Sequence, residues 1–509
     1  MNSSISRGST YSVVVGLVAV LALAATLRLI GLGEESFWFD EGYTVAFVSL
    51  PFIKMLKCMP AHEPHPPLYF IIMKLWSYLG VSEVLLRFPS VICGVVTVWV
   101  LWLLVRENWG TTPAFAAALL CATSGITIWY SQEARMYSLV LLLAAFSMKY
   151  FLRFLSPSRP PEKSDSAGLV VITAALVYTH NVAVLLLAAQ VLFMCAWGAV
   201  NRKNPGPVAR FKKWGLSQCA LLITLVPWVS LFVIQRGYVQ SGFWIPRPTL
   251  RMLMDYIRYL LVFESEGISF RMLAPLAVVC AVTILSMLRD ARVAATLTCF
   301  VVPVMACYFY SRIYNPIMIP RVLLYVTVPL FTLIGLMLYQ GEHSARPGYW
   351  IRCRQIVGAI LITALVVCNL HCWYHEKERV SKDEFRRAAS IASTLIGPES
   401  AIVFPNAGSQ PAFDYYFHGH PLHDRVLEVP LPMHYLDIPG GSCNLEPPVT
   451  PESVARLNGL LGGRNKALLV MSHVRGTDPQ GMVKRYFEEH WHFSKKIDLV
   501  EITLLLYER

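Results

Sequence analysis

Charge is what this 509-residue chain has least of. Asp, Glu, Lys and Arg make up 15% of it against 55% hydrophobic residues, where a soluble globular protein carries about 25% charged residues. With a mean hydropathy of +0.50, that scarcity excludes an ordinary soluble enzyme. It points to a polytopic membrane protein with roughly 370 residues in its membrane sector. Paired cysteine spacing is missing as well. Most of the 12 cysteines, among them Cys93, Cys121, Cys299 and Cys307, lie inside apolar runs and read as small core hydrophobes, not as a disulfide framework or a metal cluster. Only Cys372 and Cys443 could pair outside the membrane. The first apolar segment has no small-residue cleavage site, so it is expected to stay as an anchor. The chain also lacks an internal repeat of the kind found in many transporters, and its C-terminal part has neither a phosphate-binding glycine loop nor a catalytic triad.

The net charge of +12 would suggest nucleic acid if it formed one patch, but it is dispersed over short loops between apolar segments. Arg153, Arg159 and Lys163 form one cluster, and Arg202, Lys203, Arg210, Lys212 and Lys213 a second. Arg289 and Arg292 form a third, and Arg346, Arg352 and Arg354 a fourth. All four fall on one side if residues 66–106 contribute a single crossing at 88–105, and the positive-inside rule makes that side cytoplasmic. The expectation is about eleven transmembrane helices, with the N-terminus inside and the C-terminus outside. Residues 68–80, rich in Trp and Tyr, then form a juxtamembrane helix on the outer surface. In a further external stretch, Arg251, Asp255 and Arg258 repeat at helical spacing against Leu250, Met254, Ile257 and Leu261. This reads as a second interfacial helix, serving as structural cover or touching substrate.

From residue 373 the composition turns soluble. Ser381-Lys382-Asp383-Glu384 reads as a capping box opening a helix. Strands are expected near 401–404 and 467–471, helices over 451–461 and 479–490, and a strand or hairpin over 497–507. The alternation predicts a small extracytoplasmic α/β domain over 373–509, acting as a lid or acceptor platform, beside a membrane domain over 1–372 whose first external loop spans about 31–86.

The unusual polar residues gather at the expected outer boundary. Phe37-Trp38-Phe39-Asp40-Glu41-Gly42 sets two carboxylates among aromatics just after the first span, although an Asp-Glu pair is also ordinary helix-start chemistry. In His62-Glu63-Pro64-His65-Pro66-Pro67-Leu68-Tyr69 the prolines forbid a helix before Leu68. The His-Glu-His grouping there has ligand types but poor spacing for a metal. Trp129-Tyr130-Ser131-Gln132-Glu133-Ala134-Arg135-Met136-Tyr137 closes the third segment, where Glu133 and Arg135 also read as interface residues orienting helices. His180, Arg312 and Arg321 complete the set.

Together with Leu86-Arg87-Phe88-Pro89-Ser90, Tyr178-Thr179-His180-Asn181 and Pro320-Arg321-Val322-Leu323-Leu324, these motifs resemble the C-type (GT-C) glycosyltransferases. Within them, the likeness is to the bacterial branch related to protein O-mannosyltransferases and lipid A aminoarabinose transferases. The resemblance implies a polytopic α-helical membrane fold, with a bacterial inner-membrane location and a periplasmic C-terminal domain. It also implies inverting transfer of a hexosyl or pentosyl unit from a polyprenyl-phosphate donor to a glycolipid, glycan or protein acceptor. By that resemblance Asp40 is the catalytic base and Glu41 its neighbour, paired with Arg87. His65, Glu133, Arg135, Tyr137, His180 and Arg321 serve substrate and phosphate binding. No cofactor is certain. A divalent ion at Asp40, Glu63 and His65 is the one candidate, and Pro64 stands where relatives with a metal place an acid. The bilayer is a partner and nucleic acid is not. A lipid-linked sugar flippase, or an envelope polymerase or ligase using a lipid-diphosphate donor, are the competing readings. The general chemistry agrees with transfer: a departing phosphate needs cations, and the attacking hydroxyl needs a base on the opposite face of the sugar.

Overall fold

The computed structural model describes residues 2–157, 159–239, 245–263, 270–341, 348–377, 382–433 and 448–509. Ser381, Arg346 and Cys443 lie outside them, and with Cys443 the expected pairing to Cys372. The described chain divides into two compact units. One is Met1–Ile30, Arg87–Val229 and Ile245–Glu378, and the other is Gly31–Leu86, Ser230–Trp244 and Arg379–Arg509.

The first unit is helical. Seven helices of the chain are long and apolar enough to cross a membrane, or eight if the bent pair Thr111–Thr123 and Gly125–Ser131 is one span. Tyr137–Arg153, Lys163–Val177 and Phe270–Ser286 are shorter, at 17, 15 and 17 residues. Each of the expected crossings is therefore a helix, in a multi-pass membrane protein. The small residues of Thr111–Thr123 let its neighbours come close. A Cβ on Gly335 would sit 2.7 Å from the Pro113 carbonyl oxygen, so glycine is what that approach requires. Outer helices carry exposed Leu222, Ile223, Val226 and Val233, an apolar surface that suits lipid and would be costly in water. The cationic loops are tied to their neighbours: Arg153 pairs with Glu107 at 2.6 Å, and Arg292 pairs with Asp290 at 2.8 Å while donating to the Asn108 carbonyl.

One expectation changes here and one is refined. The third span is not one rod but bends by 57° between Thr123 and Gly125. In helix Leu250–Leu261 the buried residues are Leu253, Tyr256 and Leu260, while Leu250 and Met254 are exposed. Ile257 and Leu261 are half-buried, so the expected apolar stripe keeps part of its surface outward, as an interfacial helix does.

The second unit holds the segment after the first apolar helix and the C-terminal sheet domain. Leu68–Trp76 and the 3-10 turn Ser77–Leu79 form the juxtamembrane element, too short at this length to cross a bilayer. The domain is built on a five-stranded sheet in the order β2-β1-β3-β5-β4, with β1 Ser400–Phe404, β2 Leu427–Pro430, β3 Lys466–Ser472, β4 His492–Leu499 and β5 Ile502–Glu508. β2, β1 and β3 are parallel, whereas β5 joins β3 and β4 antiparallel. Helices Phe385–Leu395 and Gln410–Phe417 bury Phe385, Phe413 and Phe417 on one face of the sheet. Helix Met482–His490 buries Val483 and Phe487 on the other. Continuous apolar β1 and β3 are what burial on both faces demands.

The helix expected after Ser381-Lys382-Asp383-Glu384 is present, and among the described residues its start is set differently from a capping box. Helix Phe385–Leu395 starts with Glu384 at its N-cap and no side-chain cap bond. Glu384 Oε2 instead accepts from the Val500 amide at 3.0 Å, and Asp383 Oδ2 accepts from the Phe39 amide. Strand β2 and helix Gln410–Phe417 fall in what the composition made a Pro- and Gly-rich loop.

Candidate active site

In the second unit the two adjacent carboxylates begin helix Phe39–Ser49. Glu41 is fully buried and reaches back to the Trp38 amide at 3.4 Å, so half of the plain helix-start reading is correct. Asp40 beside it remains half-exposed. At the other end, buried Lys74 donates to the Val48 carbonyl at 2.6 Å, so both ends of the helix dipole meet complementary charge. Gly42 is where this helix touches helix Gln410–Phe417: a Cβ there would lie 2.8 Å from Ala412 Cβ and from its backbone nitrogen.

The loop leading into the helix is held by the soluble domain. Arg386 pairs with Glu83 at 2.7 Å and donates to the carbonyls of Gly33 and Glu34. Tyr416 donates to Glu83 at 2.9 Å and accepts from the Phe37 amide at 2.7 Å. Asp383 Oδ2 lies 3.0 Å from both the Phe39 amide and His473 Nε2, and Lys382 Nζ is 4.0 Å from Glu41 Oε2. The sequence marked Lys382 and Asp383 only as part of a helix start, and His473 not at all. Their partners lie hundreds of residues away, a relation no local pattern encodes.

Glu63 and His65 flank the proline turn, with Oε1 and Nε2 3.8 Å apart. Gln235 fixes that turn by donating to both backbone carbonyls at 2.9 Å. Among the described residues no group of three or more His, Cys, Asp or Glu side chains is placed to hold a metal ion. The set Asp40, Glu63 and His65 is therefore not assembled as a three-ligand site among the described residues.

In the first unit Arg87, Glu133 and Arg135 are buried, and Arg321 is half-buried. His180 lies in the turn between helices Lys163–Val177 and Val184–Val200. Burial, and after it the charges of Arg135 and Arg321, push its imidazole down to about 3. It is thus neutral at physiological pH. Its Nδ1 accepts from the Val182 amide at 3.2 Å, which puts the ring proton on Nε2. The Tyr137 ring stands 6.3 Å from His180 and 5.1 Å from Tyr130. Arg135, Tyr137, His180 and Arg321 therefore form one cationic, aromatic-walled group. Arg312 is exposed at the end of its helix.

One further residue organises this group. Arg28 is wholly buried and donates at 3.0–3.1 Å to the carbonyls of Ala24, Cys121 and Ala122, to Thr127 and to Ser131. The Cys121 and Ala122 carbonyls are left over at the end of Thr111–Thr123, where the chain bends. A cation there satisfies them and complements the helix C-terminus. Gln132 in turn donates to the carbonyls of Arg28 and Ile30. The segment that presents Glu133 and Arg135 is thus pinned from both sides. In the sequence Arg28 reads only as a basic residue closing a span.

Residues 64–235 match a family model described as dolichyl-phosphate-mannose-protein mannosyltransferase. No curated protein matches the chain in sequence. Among solved structures it is similar to ArnT from Cupriavidus metallidurans in the apo state, with 13% identity and a TM-score of 0.60 over 96% of this chain and 97% of that one. The form of that protein bound to undecaprenyl phosphate gives 12% and 0.57 over the same shares. The archaeal oligosaccharyltransferase AglB from Archaeoglobus fulgidus, in complex with an inhibitory peptide and a dolichol-phosphate, gives 10% and 0.55 over 98% of this chain and 74% of that one.

Proposed function

The chain has the fold of the C-type membrane glycosyltransferases, and from that premise we propose that it is an inverting, polyprenyl-phosphate-dependent glycosyltransferase acting at the outer face of a bacterial inner membrane. The observation that carries the reading is the division of labour between the paired acids. Glu41 is fully buried, whereas Asp40 keeps an exposed face on a helix held at both ends. Asp40 takes the proton of an acceptor hydroxyl as its oxygen forms the new glycosidic bond. The bond from the anomeric carbon to the phosphate oxygen breaks, and its electron pair leaves with the polyprenyl phosphate. Arg135 and Arg321 stabilise the charge that grows on that phosphate, since guanidinium matches phosphate geometry. Neutral His180, with its proton on Nε2, adds a hydrogen-bond donor without a further charge. The match to a protein bound to undecaprenyl phosphate supports the carrier class.

The experiment is mass spectrometry of envelope lipids, glycans and glycoproteins from the host with and without the chain. The expected result is one species lacking a single sugar residue, with a polyprenyl-phosphate sugar accumulating. Unchanged profiles, with the wild-type protein present and folded, would turn the reading toward lipid transport.

A further inference from the structure

The amide of Phe39 is the first orphan donor of the helix that carries Asp40. Such donors are normally capped by the residue just before the helix, but Trp38 has no oxygen to offer. The acceptor comes instead from Asp383, 344 residues along the chain, at 3.0 Å. The same carboxylate oxygen lies 3.0 Å from His473 Nε2, and the His473 ring packs 4.7 Å from the Phe39 ring. Ser36 Oγ donates to the Asp383 carbonyl, which fixes the chain on the other side of Phe39. Asp383 and Lys382 are both buried. His473 itself sits in the left-handed region, at φ 51° and ψ 28°, a conformation uncommon for a residue with a side chain and sparse away from functional sites. Asn406 holds it there through the His473 carbonyl at 3.3 Å. One step further into the helix, Lys382 Nζ faces Glu41 Oε2 at 4.0 Å.

We propose that the C-terminal domain is a working part of the active site: Asp383, backed by His473, fixes the helix turn that aims Asp40, and Lys382 supplies positive charge to Glu41. These are positioning residues, and the inference rests on the reading of Asp40 as the base. The Asp383 bond fixes the backbone one residue away from Asp40, where a small rotation of the first turn would swing the carboxylate off line. A domain that served only as a lid would not need to place a buried acid and a buried lysine on the loop helix.

The test uses the full chain in its host membrane, with envelope mass spectrometry for product and hydrogen exchange on the detergent-solubilised protein for the backbone. In Asp383→Ala the amides of residues 36–42 should exchange at least about 10-fold faster, with product falling at least about 10-fold. Asp383→Asn, whose amide oxygen still accepts from Phe39, should restore most of both. Lys382→Met should lower product, and Lys382→Arg should restore it; this pair serves if Asp383→Ala does not fold. Unchanged exchange in Asp383→Ala overturns the proposal, as does faster exchange with wild-type product. So does equal product from Lys382→Met and the wild type. If Asp40→Asn keeps wild-type product, the reading of the base fails, and the clamp fails as a catalytic device even where exchange responds.

Discussion

Replacing Arg28 by Met should cost both stability and activity, and the structure sets the size of the loss. Methionine fills a similar apolar volume but donates nothing, so five contacts at 3.0–3.1 Å disappear. Thr127 also bonds the Cys121 carbonyl at 2.8 Å, and Ser131 retains the Thr127 carbonyl. The Ala122 carbonyl is the acceptor most directly stranded. A buried polar group left without its partner costs ~1–3 kcal/mol, and part of the remaining set relaxes, so about 3 kcal/mol is a reasonable total. At roughly 1–3 °C per kcal/mol for a unit of this size, the apparent melting temperature should fall by about 3–9 °C. Product should fall with it, because Ser131 loses the guanidinium contact that helps place the segment carrying Glu133 and Arg135. Arg28→Lys should lie between, having a charge but too few donors for all five partners. Thermal unfolding of the detergent-solubilised protein, followed by tryptophan fluorescence, gives the first quantity, and envelope mass spectrometry gives the second. A melting temperature within 2 °C of wild type together with full product would refute the assignment.

Gly94→Ala tests the same locus from the opposite helix. Its Cβ would fall 2.2 Å from Ser131 Oγ and 2.6 Å from Arg28 Nε, so it should destabilise by about 1–3 kcal/mol; wild-type melting would contradict it. Gly42→Ala should push the Asp40 helix off Ala412 and lower product while the membrane helices keep their circular dichroism, and full product would show that the contact yields freely. The soluble domain also carries a pH signature. Asp414 lies near Glu428, which accepts from Gln410 at 2.6 Å; burial first, and the neighbouring Glu428 second, push the Asp414 carboxyl up to about 9. The folded domain therefore holds an extra proton between about pH 4 and 9, and its stability falls as pH rises through that window. Asp414→Asn should flatten the decline in melting temperature from about pH 5 to 8, and equal slopes in the two proteins would refute the linkage.

The apolar segments and the juxtamembrane helix were legible because hydropathy and the prolines at 66 and 67 are local signals. So were β1 and β3, whose buried apolar runs are bounded by turn residues. Helix Gln410–Phe417 and β2 were hidden, being eight and four residues long and set among prolines, glycines and histidines. The bend after Thr123 was written in Ser124-Gly125 but outweighed by the apolar run around it. At the site, Asp40, Arg135, His180 and Arg321 stood out as polar groups at an apolar boundary. Arg28, Lys382, Asp383 and His473 did not, because their roles depend on backbone atoms and side chains far along the chain. The capping-box pattern shows the same limit. Asp383 and Glu384 are acids at a helix start, yet both are used by distant amides. In helix Leu250–Leu261 both the period and the interfacial character were legible, because the Arg and Asp residues repeat at helical spacing against an apolar stripe.

The most direct measurement is sugar transfer by Asp40→Asn beside wild type at matched membrane expression. Loss of a general base should reduce transfer by ~10²–10⁴-fold, with the polyprenyl-phosphate sugar accumulating and the melting temperature unchanged. Wild-type-like transfer by the folded variant would contradict the assignment of the base.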